Sequence, residues 1–497
     1  MSARPLPQSP PSRQGVDASG VSAFLDAVEA DPDIEPHSLM ILRHGHLVAS
    51  GWWAPYTPDR RQLLYSLSKS FTSTAAGFAV AEGLLDLDRP VVSYFPEFEA
   101  DITDPRSRAM LVRHVAAMAS GHLAETWGDV VGLDRAEPVR GFLLIPPDRD
   151  PGTVFAYNQS ATFTLAAILQ RVSGLSLTDY LRPRLFDPLG IGETAWTRNR
   201  AGREIGFSGL HATTDAIARL GQLYLDEGVL EGRRLLPASW IAEATRVHVA
   251  NADGTPEGAR SDWQQGYALQ FWRGRHGYRG DGAFGQFCVV LPEHDAVIAT
   301  TAATDRMQEL LDLMWRHLLP AFGTAPLAAA DERDEELRRR LEALALPPVE
   351  AAPEPPEPQD AWSQAEFAPA GGLCAVQPSL TGVLVAGSGK DTRVTLVEGE
   401  RRLEARLDGT GWSVDSGPTP RAVSGGWTAA GTLRVDLIFL ETPHRLTVEC
   451  ELPGRTFSAR WHTTPLHARS LESLRAPSSP PSTGHRKTPY LATPSAT

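Results

Sequence analysis

Residues 63–85 read LLYSLSKSFTSTAAGFAVAEGLL, with Phe71, Ala75, Phe78 and Ala79 at helical spacing and Gly83 placed to end the helix. Ser66 and Lys69 stand three positions apart at its start, and one helical turn puts such a pair on one face. Lys69 is one of only three lysines, with Lys390 and Lys487, among 47 basic residues. Wherever this chain needs only a fixed positive charge, it nearly always uses arginine. A guanidinium keeps its proton at any physiological pH, whereas a buried amine can release one. A serine hydroxyl is a poor nucleophile until a neighbouring base takes its proton. Ser66 and Lys69 are therefore the candidate nucleophile and its base.

Outward from this stretch, VSAFLDAVEA has helical spacing, and SLMILRHGHLVASGWW reads as two strands about a turn at His44-Gly45. The middle of the chain is mainly helical by pattern, in SATFTLAAILQRVSG, TTDAIARLGQLYLDEG and PASWIAEATRV. Strand signals return in GYALQFW and in GQFCVVLPEHDAVIATTAA, a hairpin turning at Glu293-His294-Asp295, before the amphipathic helix MQELLDLMWRHLLPAF. Strands at both ends of a helical middle predict an α/β unit, one antiparallel sheet built from distant segments and flanked by helices.

After Phe322 the composition changes. DERDEELRRRLEALAL is a charged helix with a solvated face, and PPVEAAPEPPEPQDA is a stiff, extended linker. Beyond it RVTLVEG, RRLEARLDG, TLRVDLIFLE, HRLTVECELPG and TFSARWHTT, separated by short turns, predict an all-β, barrel-like domain with Trp412 and Trp427 in its core. The expected division is a disordered start (1–15), a catalytic unit (16–324), charged helix and linker (325–363), a β domain (364–466) and a disordered tail (467–497).

The net charge of −13 disfavours nucleic acid as a partner, since such binding depends on clustered cations. Cys288, Cys374 and Cys450 have neither disulfide-framework nor zinc spacing and are expected as reduced, buried thiols. The N-terminus lacks the apolar run of a secretory signal, and no segment is long and apolar enough to span a bilayer, so a cytoplasmic protein is expected.

YSLSKSFTSTAAGFAVAEGLLDLDRPVVSYFPEF is similar to the active-site segment of penicillin-binding-protein and class C β-lactamase-like serine hydrolases. HVAAMASGH, PGTVFAYNQSATFTLAAILQRVSG, LRPRLFDPLGIGETAW, GLHATTDAIARLGQLYLDEG and GAFGQFCVVLPEHDAVIATT extend the resemblance, in order, over about residues 20–322. The C-terminal strands resemble the β domain that follows the hydrolase unit in some members. The resemblance implies a β-lactamase/transpeptidase-like fold, a Ser66 that is acylated, Lys69 as its partner, and no metal or cofactor. Tyr157, from AYNQS, then corresponds to the family's proton-shuttling phenol, its pKa lowered by nearby positive charge. The family's Tyr-x-Asn motif has Gln159 at its third place, one methylene longer, and Asn158 is the other amide able to meet substrate. In the third motif, Lys-Thr-Gly or His-x-Gly, the triplet here is Gly280-Asp281-Gly282, without the cation. Gly282 and Ala283 permit close approach, and the amides of Ala283 and Ser66 would form the oxyanion hole.

The missing cation, with Asp281 repelling a substrate carboxylate and Arg279 on the other face of the strand, implies poor β-lactam hydrolysis. The expected reaction is a two-step acyl transfer on a small-molecule ester, amide or peptide. The alternatives are transfer to an amine or alcohol, including peptide cyclisation, and ligand capture without turnover.

Overall fold

The computed structural model describes residues 5–328, 330–352, 361–387, 391–409, 411–429, 431–467 and 470–478. The catalytic unit is built on a six-stranded sheet in the order His46–Trp52, Glu35–Arg43, Ala296–Ala303, Gln286–Leu291, Tyr278–Gly282, Trp272–Arg273. All of its neighbours are antiparallel. Both faces are covered, so the second strand, Glu35–Arg43, is buried at every position. Its alternation sends Leu39 and Ile41 into one core and Met40 and Leu42 into the other. The first core packs under the helices Ala18–Ala30 and Met307–Leu313. The second continues into the helical middle through Thr214–Leu225, where Gly221 brings the helix against Val297.

The expected hairpins at His44-Gly45 and Glu293-His294-Asp295 are present. GYALQFW departs from expectation, since only Trp272 and the following Arg273 are strand. Its backbone serves another element instead: the carbonyls of Leu269 and Gln270 accept from Ser73 and Ser70 at 2.7 and 3.0 Å.

The C-terminal unit is a nine-stranded sheet that nearly closes on itself. Its strands run from Arg401–Leu407 at one edge to Ser413–Asp415 at the other, and all pairs are antiparallel except Ala365–Pro369 with Thr456–Trp461. The gap is bridged where Arg421 Nε donates to the Glu404 carbonyl at 3.0 Å. Inward-facing Val383, Val394, Leu396, Leu433, Val435 and Trp427 fill the interior. Trp412 lies outside this core and donates to the Leu346 carbonyl at 2.9 Å. Cys288, Cys374 and Cys450 are buried, unbridged thiols.

The two units share a core, because Ala422, Ile438 and Leu440 of the barrel join the cluster under the catalytic sheet. Arg445 pairs with buried Glu35 at 2.9 Å, and Leu63 N donates to the Glu441 carbonyl at 2.9 Å. The charged helix Asp331–Glu342 is solvated on one face only. Leu337 and Leu341 pack into the core, and Arg340 reaches Asp26 and Glu29.

The ends correct the sequence reading. Residues 5–15, expected to be disordered, lie along the edge strand: Leu47 N donates to the Pro7 carbonyl at 2.7 Å, and the Ser12 hydroxyl to Asp334. Residues 470–478 are likewise placed, with Leu471 N on Glu398 and Ala476 N on Glu441. A short run of side-chain and backbone contacts thus compensates the ordering entropy that their polar, Pro-rich composition leaves unopposed. Residues 1–4, the linker stretch 353–360 and the tail 479–497 lie outside the described residues. No helix among the described residues is long and apolar enough to cross a membrane.

Candidate active site

The helix Ser68–Ala81 crosses the middle of the catalytic unit, and its residues 68–79 are all buried. The sequence placed one apolar side on it; the structure surrounds it, and small residues make that possible. Its hydroxyls find partners: Thr72 donates to the Gly206 carbonyl at 2.9 Å, Thr74 to that of Ser70 at 2.8 Å, and Ser68 Oγ accepts from Leu210 N at 3.0 Å. Ser66 stands just before this helix in the single 3-10 turn Tyr65–Leu67. Tyr65 has φ 47°, the left-handed region that non-glycine residues seldom occupy.

Lys69 is 2% exposed. Its Nζ donates to Ser66 Oγ at 3.1 Å, to Gln159 Oε1 at 2.7 Å and to the Phe207 carbonyl at 2.8 Å. Burial pushes its pKa from 10.5 down to about 7, against the opposing pull of the Glu125 and Asp281 carboxylates. The amine also lies 4.8 Å from the centroid of the Tyr157 ring. Ser66, Lys69, Tyr157 and Gln159 thus converge from two segments of the chain, and the Phe207 carbonyl joins them from a third.

Tyr157 departs from expectation in its electrostatics. Burial raises its phenol pKa above the ordinary value, and the interaction with Ser66 opposes that only in part. The positive charge that lowers it is Arg279, outweighed by burial and by the Asp281 and Glu125 carboxylates. Stacking on Trp272, with centroids 5.3 Å apart, holds the ring.

The two amides resolve differently from their reading in sequence. Asn158 is fully buried and caps the helix Gln159–Ser173 by accepting from Ser160 N at 3.0 Å, with Thr126 as its other side-chain partner. Its side chain is engaged by Thr126, the Ala124 carbonyl and Ser160 N, and none of its bonds is to Ser66 or Lys69. Gln159, at the first position of that helix, reaches Lys69 with the length its extra methylene supplies.

Gly280 and Gly282 face the segment that carries Ser66. A Cβ on Gly280 would lie 2.4 Å from Leu67 Cδ1 and 2.7 Å from Ser70 Oγ, and one on Gly282 would lie 2.1 Å from the Leu64 carbonyl oxygen. The strand therefore abuts the Tyr65–Leu67 turn so closely that a side chain at the position of the absent cation would have to displace Leu67 and Ser70, and it sets Ala283 at its end beside that turn. By strand alternation Arg279 and Asp281 share the opposite face. Arg279 Nε donates to Asp281 at 2.9 Å, and its guanidinium lies over Trp263 at 4.4 Å. Burial raises the Asp281 pKa while Arg279 holds it down. Asp281 is thus an internally paired group, which corrects its reading as a carboxylate presented to substrate.

Sequence reasoning missed Phe207, which acts through its backbone and leaves no compositional signal. It also missed Glu125, an exposed carboxylate whose oxygens accept from Gln159 N at 2.9 Å and Trp127 N at 2.8 Å. The barrel reaches the site as well. The Tyr65 hydroxyl donates to His444 Nε2 at 2.6 Å, and Leu466 N approaches the same oxygen at 3.4 Å. His114 and His122 belong to other local hydrogen bonds, to Leu111 N and to Ser120 and the Ile145 carbonyl.

With this geometry in place, residues 23–321 match a family model described as Beta-lactamase. The chain belongs to the Beta-lactamase family. It is 28% identical over 299 residues to 6-aminohexanoate-dimer hydrolase of Paenarthrobacter ureafaciens, covering 55% of this chain and 76% of that one. It is 27% identical over 360 residues to penicillin-binding protein 4 of Amycolatopsis lactamdurans, covering 62% and 92%. A Bacillus anthracis structure named for 6-aminohexanoate-dimer hydrolase superposes with a TM-score of 0.51 at 20% identity, covering 63% of this chain and 87% of that one. This last likeness is one of fold. The relatives' names span 6-aminohexanoate-dimer hydrolysis, penicillin binding and, in a Burkholderia gladioli protein 27% identical over 209 residues, esterase.

Proposed function

We propose that this Beta-lactamase-family protein is a serine hydrolase that cleaves esters or amides through an acyl-enzyme on Ser66. The observation that carries the reading is the buried Lys69 amine, 3.1 Å from Ser66 Oγ, with a pKa lowered to about 7. Neutral Lys69 takes the Ser66 proton as Oγ bonds to the substrate carbonyl carbon. The new oxyanion is held by the amides of Ser66 and Ala283. Gln159 Oε1 and the Phe207 carbonyl, both acceptors on Nζ, steady the ammonium formed.

Tyr157 enters as the acid. With its phenol pKa raised it carries its proton at neutral pH, gives it to the leaving alcohol or amine as the carbonyl–heteroatom bond breaks, and is recharged from Lys69. Water then attacks the ester on Ser66 by the reverse route. Gly280 leaves no side chain to meet a substrate carboxylate, and the nearby exposed charge is the carboxylate of Glu125. Both favour an ester or amide without that carboxylate over a β-lactam. The test is fluorophosphonate labelling with mapping of the adduct, alongside turnover of a p-nitrophenyl ester and a chromogenic cephalosporin. Labelling at Ser66 that is lost in Lys69→Ala is the expected result; labelling elsewhere, or unchanged in that variant, refutes the reading.

A further inference from the structure

The barrel touches both sides of the proposed oxyanion hole through a single side chain. His444 is fully buried. Its Nδ1 lies 2.9 Å from the Thr463 carbonyl, which can only accept, so Nδ1 carries the proton and Nε2 is the acceptor for Tyr65. Burial lowers its pKa to about 3, and the ring is neutral throughout the working range.

Tyr65 immediately precedes Ser66, and its left-handed backbone sets the direction in which the Ser66 amide points. Phe284 immediately follows Ala283, also at positive φ (69°). The imidazole meets the Phe284 ring edge-on at 5.4 Å, and the Tyr65 and Phe284 rings meet each other edge-on at 5.4 Å. The three rings form one contact that joins the neighbours of the two amides. Two non-glycine residues in a sparsely populated conformation persist only where their surroundings hold them.

We propose that His444 is a positioning residue that fixes the spacing of the Ser66 and Ala283 amides through Tyr65 and Phe284, so that the C-terminal barrel is part of the catalytic apparatus. The proposal rests on the reading of Ser66 as the nucleophile.

The experiment compares Tyr65→Phe, His444→Ala, His444→Gln and the double variant Tyr65→Phe/His444→Ala in the full chain. It measures kcat and KM for a p-nitrophenyl ester, the rate of fluorophosphonate labelling at Ser66, and Tm. Loss of a whole oxyanion donor costs about 100-fold or more, and a misplaced pair less, so Tyr65→Phe and His444→Ala should each lower kcat and labelling about tenfold. KM should stay within about twofold, since the lost interaction belongs to the transition state. The double variant should be no slower than the worse single one, and His444→Gln, which keeps an acceptor, should recover most of the rate.

Tyr65→Phe removes one oxygen and keeps the ring, so it gives an answer even if His444→Ala does not fold. A wild-type protein labelled at Ser66, with Tyr65→Phe labelled at the wild-type rate, overturns the proposal. Multiplicative losses in the double variant also overturn it. A wild-type protein that is not labelled at Ser66 overturns the nucleophile reading instead.

Discussion

Acylation of Ser66 should rise about tenfold between pH 6 and pH 8, because the Lys69 amine, with its pKa at about 7, is about one-tenth neutral at the lower pH and about nine-tenths neutral at the upper. An ordinary lysine at 10.5 would be neutral in about one molecule in 3,000 at pH 7, so burial supplies roughly a thousandfold more of the competent base. The profile should climb through about pH 7 and then stay level, since burial holds the Tyr157 proton in place well above that range. The assay is the second-order rate of inactivation by a fluorophosphonate, which has no titrating group of its own, followed from pH 5 to 9 with Lys69→Ala as the control. A flat profile, a midpoint near the ordinary lysine value, or a decline before pH 8.5 would refute the assignment of Lys69 as base and Tyr157 as acid.

The same depressed pKa makes Lys69 a burden on the fold. From pH 7 to about 10.5 the unfolded chain holds a proton that the folded protein does not, so folded stability rises with pH across that window, and below it the penalty is fully present. At pH 7 the penalty is roughly 4 kcal/mol, offset by three hydrogen bonds of about 1 kcal/mol each. Lys69→Met should therefore raise unfolding stability by about 1 kcal/mol while abolishing labelling, and urea melts should show the gain shrinking as pH rises toward 10. A constant difference across that range contradicts the buried-amine argument. Gln159→Ala removes the 2.7 Å acceptor from the Lys69 ammonium and should slow labelling about tenfold or more, whereas Asn158→Ala should cost about 1 kcal/mol of thermal stability through the lost cap. Gly282→Ala should be more damaging than Gly280→Ala, because its methyl meets an immobile carbonyl instead of the ends of side chains; circular dichroism melts of both variants decide this.

The pairing of Ser66 with Lys69 was legible because helical spacing and the scarcity of lysine converge on one turn. The sheet was legible because hydrophobic alternation survives at the level of single strands. What escaped was set by tertiary distance. The acceptor role of Gln159 depends on where the start of its helix lies relative to Lys69. The pairing of Asp281 with Arg279 requires knowing which face of the strand meets the nucleophile. The direction of the Tyr157 shift depends on burial, which a motif does not encode. GYALQFW looked like strand because its side chains alternate, yet its carbonyls are engaged by Ser70 and Ser73. The polar ends looked unstructured because each is held by only a few contacts to residues far away in the chain.

The bond between Tyr65 and His444 joins residues 379 positions apart. At ordinary translation speeds a ribosome needs roughly 20–75 s to cover that distance, so a nascent chain carries its serine and lysine long before their surroundings are complete. A nonsense codon between Tyr157 and His444 therefore yields a product that retains Ser66, Lys69 and Tyr157 but lacks the barrel's partner for the Tyr65 hydroxyl.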